Sequence, residues 1–364
     1  MSLDDEAKDL VVEAIDGRGG SHQTGKALSE PPAVCTKLET LNLKGTYQGY
    51  VPSQFGDSAG LRSWHALFEK RGACLTGLVG YAMSANPLLH TLALGWHSEF
   101  DECEPGGFSH PVQVTLKGLA SLDSVSQSLV NLDAGGCSFL CHEDIQPILQ
   151  SAGGLERLNL NGARVLADLA FLGMRSVQLR HLILRANVRI SDVGIVSNVL
   201  TNSPNLELLN VGCTKLTDAT LRGIIRHCPR LKSLDVCFNR NMTVAGLRAA
   251  AEGLPQLVDF GFSGFELLTI PDLKHILSCN APKTKIGIAA CKDLTDDALD
   301  IILQLCPTIE RLFAAYSAFT TAGIQAFVQR ACGSLQQLCV RDSEAVDEAV
   351  VADIQKRFGY VFDI

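Results

Sequence analysis

Three groups of residues carry side chains from which a reactive or binding site could be built. Gly20, Gly25 and Lys26 stand at the G-x-x-x-x-G-K spacing of a phosphate-binding loop, in which backbone N–H groups cradle phosphate oxygens and the lysine reaches the terminal phosphate. Ala27 occupies the place of the magnesium-binding Ser or Thr, and no nucleotide-binding order of strand and helix follows, so the stretch reads as a Gly/Ser linker. Cys137, Cys141 and His142, followed by Glu143 and Asp144, are of metal-ligand type. Their C-x-x-x-C-H spacing is not that of paired zinc ligands, however, and no second pair follows. The other eight histidines are scattered without a recurring partner, and no nucleophile-and-base arrangement is visible. The sequence therefore predicts no catalytic residue, no cofactor and no metal site.

What remains is recognition, and its candidates depend on a repeat. In Asn205 to Val236, Leu206, Leu209 and Val211 alternate as a strand, Leu216, Thr217 and Asp218 turn the chain, and Leu221, Ile224 and Ile225 recur at helical spacing. Pro229 stops that helix, because it cannot donate the next ladder bond, and Leu231, Leu234 and Val236 begin the next strand. Aligned on the first apolar position, the units start at Leu129, Leu155, Leu179, Leu206, Leu231, Leu257, Lys283, Ile309 and Leu335, with spacings of 24 to 27 residues. Strands at Leu38 and Leu89 fit the same template at longer intervals, which makes eleven repeats. A steady period of about 26 predicts an α/β leucine-rich-repeat solenoid, a horseshoe with a concave parallel sheet. No single unit buries its apolar face alone, and stacked units share one core.

Strand alternation sends offsets +3 and +5 from each unit's first apolar residue inward, and +2, +4 and +6 onto the concave face. Two patches follow. Arg157, His181 and Arg185 project from repeats four and five, a cluster suited to an acidic segment or a phosphate group; the alternative is solvated side chains paired with Asp133 or Asp235. In repeats eight to ten the outward residues become small. Gly261 and Gly287 are neighbours at +4, Ser263, Ala289 and Ala315 follow one another at +6, Phe313 closes one end, and Lys285 and Arg311 line the +2 edge. Adjacent strand glycines mark a place where another chain approaches closely, or a curved sheet crowding its own concave side.

Residues 1–33 read as a flexible arm in which Leu10, Val11, Ala14 and Ile15 form one short capping helix; residues 34–364 are the solenoid. Insertions at about 45–72, rich in aromatics, and 96–111, beginning at Trp96 and acidic, leave after strands and so emerge on one rim, with Trp96 as a further partner-binding candidate. Residues 345–364 form a C-terminal cap. Net charge is -8 with 19% charged residues and no long basic run, which disfavours nucleic acid as a partner. An acidic start without an apolar run is not a signal peptide, and no apolar stretch is long enough to span a membrane. Cys137 and Cys291 share the slot at offset +8 with Asn187, Asn239, Ser317 and Ser343, and Cys213 stands at +7. Cys228, Cys306 and Cys332 form a second column three residues before the strand, a structural use of cysteine that fits a reduced, cytoplasmic protein, with nucleus or cytoskeleton as alternatives.

The runs around Leu206 to Leu221, Cys228 to Val236 and Cys291 to Leu312 resemble the cysteine-containing class of leucine-rich repeats known from F-box/leucine-rich-repeat proteins and related cell-cycle and ciliary scaffolds. No F-box module is recognisable in residues 1–37. The resemblance implies a non-enzymatic scaffold that binds a protein partner on its concave face, as a substrate-recognition subunit linked to ubiquitin ligation. The alternatives are a structural subunit of a cytoskeletal or ciliary assembly, or a protein inhibitor of an enzyme. Oligomeric state is left open. If the cysteines are structural thiols, titration of the denatured chain without reductant finds all thirteen free, and the protein binds no stoichiometric zinc.

Overall fold

The computed structural model describes residues 40–42, 91–93, 129–137, 140–175, 177–331, 333–343 and 345–358. The arm at 1–33, both insertions with Trp96, the phosphate-loop-like stretch, Cys332 and residues 359–364 lie outside them.

All eleven expected repeats contribute a three-residue strand, and each strand occupies offsets +2 to +4. They are β1 (Thr40–Asn42), β2 (Thr91–Ala93), β3 (Asn131–Asp133), β4 (Arg157–Asn159), β5 (His181–Ile183), β6 (Leu208–Asn210), β7 (Ser233–Asp235), β8 (Asp259–Gly261), β9 (Lys285–Gly287), β10 (Arg311–Phe313) and β11 (Gln337–Cys339). They pair in parallel in sequence order as one sheet, so the chain is an α/β leucine-rich-repeat solenoid. The described helices are α1 (His142–Ser151), α2 (Asp192–Asn198), α3 (Asp218–His227), α4 (Val244–Gly253), α5 (Ile270–Ser278), α6 (Asp296–Leu305), α7 (Thr321–Ala331) and α8 (Glu348–Phe358). Repeat four, only 24 residues long, has the 3-10 turn Asp168–Phe171 in place of a helix.

Between sheet and helices lies one continuous core. Offsets 0, +3 and +5 of repeats three to eleven are buried, as in Leu206, Leu209 and Val211, and helix residues such as Leu221 and Ile224 close the core from the other side. In the offset-0 column of the described residues the one charged side chain is Lys283, fully buried where other repeats place Leu or Ile. Its Nζ donates to the carbonyls of Cys279 and Ala281 at 3.0 and 2.9 Å, which satisfies the ammonium at the end of α5. Burial, the largest cause, lowers its pKa.

The hydrogen bonds run between repeats. Glu207 and Leu208 donate N–H to the carbonyl of Arg180, Leu184 donates forward to Asn210, and Ala186 donates to Gly212. The last of these bonds requires a left-handed residue at offset +7. Gly136, Gly162 and Gly264 adopt it without strain, whereas Ala186, Cys213, Phe238, Ala290, Tyr316 and Asp342 hold it at φ of 53° to 60° against a cost of ~1–2 kcal/mol each. Cys213 therefore belongs to this position. In its repeat the polar slot at +8 is filled by Thr214, whose N–H and hydroxyl both donate to Asn239 Oδ1 at 2.9 and 2.7 Å. Asn239 Nδ2 in turn donates to the carbonyls of Val211 and Val236, and Asn187 makes the same pair of bonds to Leu160 and Leu184.

A second ladder fastens the helix starts. Asp168 accepts from the N–H and hydroxyl of Ser191, Asp192 from those of Thr217, Asp218 from those of Thr243, and Asp296 from those of Thr320. Each acid thus lies beside the N-terminus of the next helix, where negative charge is favoured. Gly194, Gly246 and Gly323 leave room for it: a Cβ at Gly246 would stand 2.3 Å from Asp218 Oδ1. Helices α4 and α5 begin with Val244 and Ile270, so the ladder is interrupted there, and Thr269 is capped by its own Asp272.

If the +8 column holds neighbouring repeats together, Asn239→Ala strands the buried Thr214 N–H, leaves the Val211 carbonyl only the Thr214 hydroxyl, and lowers unfolding free energy by about 1–3 kcal/mol in urea titration. Asn241→Ala, which removes an exposed bond to Lys215, costs under about 1 kcal/mol.

Candidate functional site

The sheet face turned away from the helices is the surface to which the sequence assigned partner binding. Its three rows differ in exposure. At +2, Arg157 is exposed, and His181, Ser233, Asp259, Lys285 and Arg311 are half-buried. Registered pairing places Arg157 beside His181, and Lys285 beside Arg311. Asp259 accepts from the Thr284 hydroxyl at 2.8 Å.

The +4 and +6 rows are largely closed. Asp133, Asn159, Asn210 and Asp235 each turn a side-chain oxygen back to accept the N–H two residues on, at 2.9 to 3.0 Å. That local bond fixes the chain as it leaves the strand. Arg185, expected to project into solvent, is only 2% exposed. A Cβ built on Gly212 would come within 2.7 Å of its Nη1 and 3.0 Å of Asp235 Oδ1, so the guanidinium lies across that glycine toward the carboxylate of the next repeat. The three-cation patch therefore contracts to Arg157 and His181, and Arg185 is a packed residue because desolvation favours a nearby carboxylate.

The trough expected over repeats eight to ten is filled from within. Phe313, Ala289, Ala315 and Cys339 form a small apolar cluster, each no more than 7% exposed. Lys285 Nζ sits 5.2 Å from the Phe313 ring centroid, covering its face with a cation–π contact. Ser263 is buried; its N–H donates to Cys237 Sγ and its Oγ accepts from Ala289 N–H. A Cβ on Gly287 would lie 3.2 Å from Gly261 Cα and 3.3 Å from Ser263 Oγ. The glycines thus relieve crowding between neighbouring strands of this chain, and the opening the sequence suggested is absent at Gly261 and Gly287.

Along the sheet edge at +1 runs a charge ladder that sequence reading did not isolate. Glu207 accepts from Arg180 and Lys232 at 2.7 Å each, and Arg180 also reaches Glu156 at 3.9 Å. The hydrogen bond from Lys232, with that from Arg180, outweighs the opposing effect of desolvation and leaves the Glu207 carboxyl below its ordinary pKa. The ladder's contribution is lost as pH falls through that depressed value.

The metal-type cluster resolves into a helix start. Cys141 is the N-cap of α1, its thiol donating to Asp144 Oδ2 at 3.0 Å while Asp144 accepts the Cys141 N–H. Burial first, then the bond to Asp144, pushes the Cys141 thiol up to about 12. Burial does the same to Cys137, Cys228 and Cys291, which leaves a negligible thiolate fraction near neutrality. Cys228 and Cys306 are C-caps of α3 and α6. No group of three or more His, Cys, Asp or Glu side chains suited to a metal ion occurs among the described residues, and none of the described helices is long and apolar enough to cross a membrane.

No protein-family model matches the chain. Over 146 residues it is 26% identical to Antagonist of mitotic exit network protein 1 of Eremothecium gossypii, an alignment that covers 39% of this chain and 36% of that protein. The chain thus spans about a third of the length of this curated relative. Among solved structures it is similar to a chain of the yeast Rad7 and Elc1 complex, with 18% identity, 76% of this chain and 85% of that chain covered, and a TM-score of 0.45. It is also similar to an internalin of Listeria monocytogenes (20% identity, 76% and 67% covered, TM-score 0.43) and to the leucine-rich repeat-containing protein LegL7 of Legionella pneumophila (11% identity, 90% and 92% covered, TM-score 0.42).

The closed trough makes an opposite forecast for two substitutions. Gly287→Leu drives a branched side chain into Gly261 and Ser263 and lowers the melting temperature by several degrees, whereas Arg157→Ala, on the exposed row, changes stability by under about 0.5 kcal/mol.

Proposed function

We propose that this chain is a non-enzymatic protein-interaction scaffold that grips a protein partner along the exposed +2 row of its sheet. The observation that carries this reading is the contrast between rows. The +4 and +6 positions are occupied by the protein's own packing from Arg185 to Cys339, which leaves a shallow strip of side chains from Arg157 to Arg311 in place of an enclosed pocket. Seven strands, β4 to β10, at about 4.8 Å give a strip on the order of 29 Å long. Such a surface suits the extended contact of a protein, because a small molecule gains affinity mainly where a cavity encloses it. Within the strip, Arg157 and His181 favour an acidic segment of the partner, and Lys285 and Arg311 provide a second cationic site about five strands away. Gly261, Ser263, Gly287, Ala289, Phe313 and Ala315 act beneath the contact, by holding Lys285 and Arg311 in place.

The finer role we propose is that of an adaptor presenting a bound protein for ubiquitin ligation, in the cytoplasm. Its support is the likeness of the repeats to those of F-box/leucine-rich-repeat proteins. The Eremothecium protein, named as an antagonist of mitotic exit, offers a related setting of regulation by binding.

Reversing both cationic sites tests the surface. In affinity capture from the native cell, Arg157→Glu combined with Arg311→Glu loses specific partners at least tenfold while the melting temperature is unchanged. A partner set identical to that of the unaltered chain removes the sheet face from the reading. Recovery of ubiquitin-ligase subunits by the unaltered chain separates the adaptor role from the cytoskeletal and inhibitor alternatives.

A further inference from the structure

The helix side of repeats four and five carries a surface that the scaffold reading does not use. Where the other described repeats have helices of seven to eleven residues, repeat four has the four-residue turn Asp168–Phe171. Six of the eight large apolar side chains exposed among the described residues gather here: Val165, Leu169, Leu172, Val177, Val188 and Val193, from 37% to 73% exposed. Five of them are related in pairs by the repeat, and Val177 lies apart, just before the strand of repeat five. Leu169 and Val193 are each two residues past the N-caps Ala167 and Ser191 of adjacent repeats, which sets them side by side about 10 Å apart. A 3-10 turn eclipses positions three apart, so Leu169 and Leu172 share a face. The parallel bridge between Ala167 and Arg189 brings the loop of Val165 against that of Val188.

The whole chain is at -8, whereas residues 155–205 contain six arginines against three acids. Arg157 and Arg185 belong to the sheet face and Arg180 to the +1 ladder, which leaves Arg164, Arg175 and Arg189 in the segments that carry the apolar side chains. Those three acids are engaged within the fold: Glu156 faces Arg180, Asp168 accepts from Ser191, and Asp192 accepts from Thr217 and Thr220. Arg175 and Arg189 are exposed at the border of the apolar surface and take part in no ion pair among the described residues. An apolar stripe bordered by cations fits an acidic amphipathic helix.

Such a helix is encoded in the chain. In residues 1–16, Leu3, Ala7, Leu10, Val11, Ala14 and Ile15 recur at helical spacing, and six carboxylates against one lysine give the segment a net charge of -5. Glu6 and Glu13 border one side of the apolar arc on that projection, and Lys8 the other. We propose that residues 1–16 dock as an amphipathic helix on the apolar surface of repeats four and five, covering Leu169, Leu172 and Val193, with their carboxylates against Arg175 and Arg189. This places the arm on the side of the solenoid instead of over its open end. The connection permits it: residues 17–39 span up to about 76 Å when extended, and three to four repeats on the helix side cover roughly 30–40 Å.

The test uses the full chain with photoreactive benzoylphenylalanine replacing Val193, the most exposed of the six at 73%, and separately replacing Leu172. Isotopically light and heavy chains are mixed before irradiation and the products are mapped by mass spectrometry. The expected result is a cross-link within one chain to a peptide from residues 1–16. Its yield falls at least fivefold in the Arg175→Glu, Arg189→Glu variant, and again in about 0.5 M salt where exposed charges are screened, with the melting temperature unchanged. Cross-links only between light and heavy chains assign the surface to a second copy and overturn the proposal. So does the absence of any cross-link to residues 1–16 from both positions, or a yield indifferent to the reversed arginines.

Discussion

A strand of three residues cannot satisfy its own backbone, and everything in this fold follows from where those N–H and C=O groups find partners. The bonds leave the repeat in both directions: backward from Leu208 to Arg180, forward from Leu184 to Asn210, and forward again from the left-handed residue Ala186 to Gly212. Orphaned buried backbone groups cost more than a left-handed alanine or phenylalanine, which is why offset +7 keeps its positive φ even at Phe238 and Tyr316. The Asn239 side chain extends the same logic to the turn, and the Asp–Thr pairs extend it to the helix starts. Stability is therefore shared between neighbours.

The same constraint decides what the sheet can offer a partner. Strands at about 4.8 Å spacing leave little volume between the +4 and +6 side chains of adjacent repeats. One arginine, Arg185, fits only because Gly212 in the next repeat has no Cβ, and Phe313 fits only against Gly287 and the small residues Ala289 and Ala315. What reaches solvent is the +2 row and the +1 charge ladder through Glu207. Recognition on this face is thus a matter of charge spacing along a line.

Much of this was legible before the coordinates. The 24 to 27 residue period placed nine strands and the same apolar template the two before them, and the recurrence of Asn, Ser and Cys at one slot identified the side chains that bond the turn, as Asn187 and Asn239 do. Alternation alone misplaced Arg185 and the Gly261–Gly287 pair, because a period of two says which face a residue takes and nothing of how much room that face has. Cys213, read at +7, takes the left-handed position there, and the residue that fills the polar slot of its repeat is Thr214, which the sequence reading did not single out. The recurring Ser-Asp and Thr-Asp dipeptides at 191–192, 217–218 and 295–296 carried the signal for the helix-start ladder. Its partner lies a full repeat away, where local pattern reading does not look. The burial of Lys283 had no local sign beyond a lysine standing in a leucine column.

The gap in the Asp–Thr ladder at Val244 and Ile270 gives the helix side a mechanical seam. On either side of it, tilting one helix against the next breaks hydrogen bonds to a carboxylate, as at Asp218 with Thr243 or Asp296 with Thr320. Across the seam, α4 and α5 meet through apolar contact, the exposed pairs Arg248 with Asp272 and Glu252 with His275, and the Asn280 side chain, which donates to the carbonyls of Ala251 and Leu254. The carboxylate clamp is therefore missing between repeats seven and nine, and that stretch lies between Arg157 and Arg311, the two ends of the cationic row. A partner long enough to touch both would span the seam.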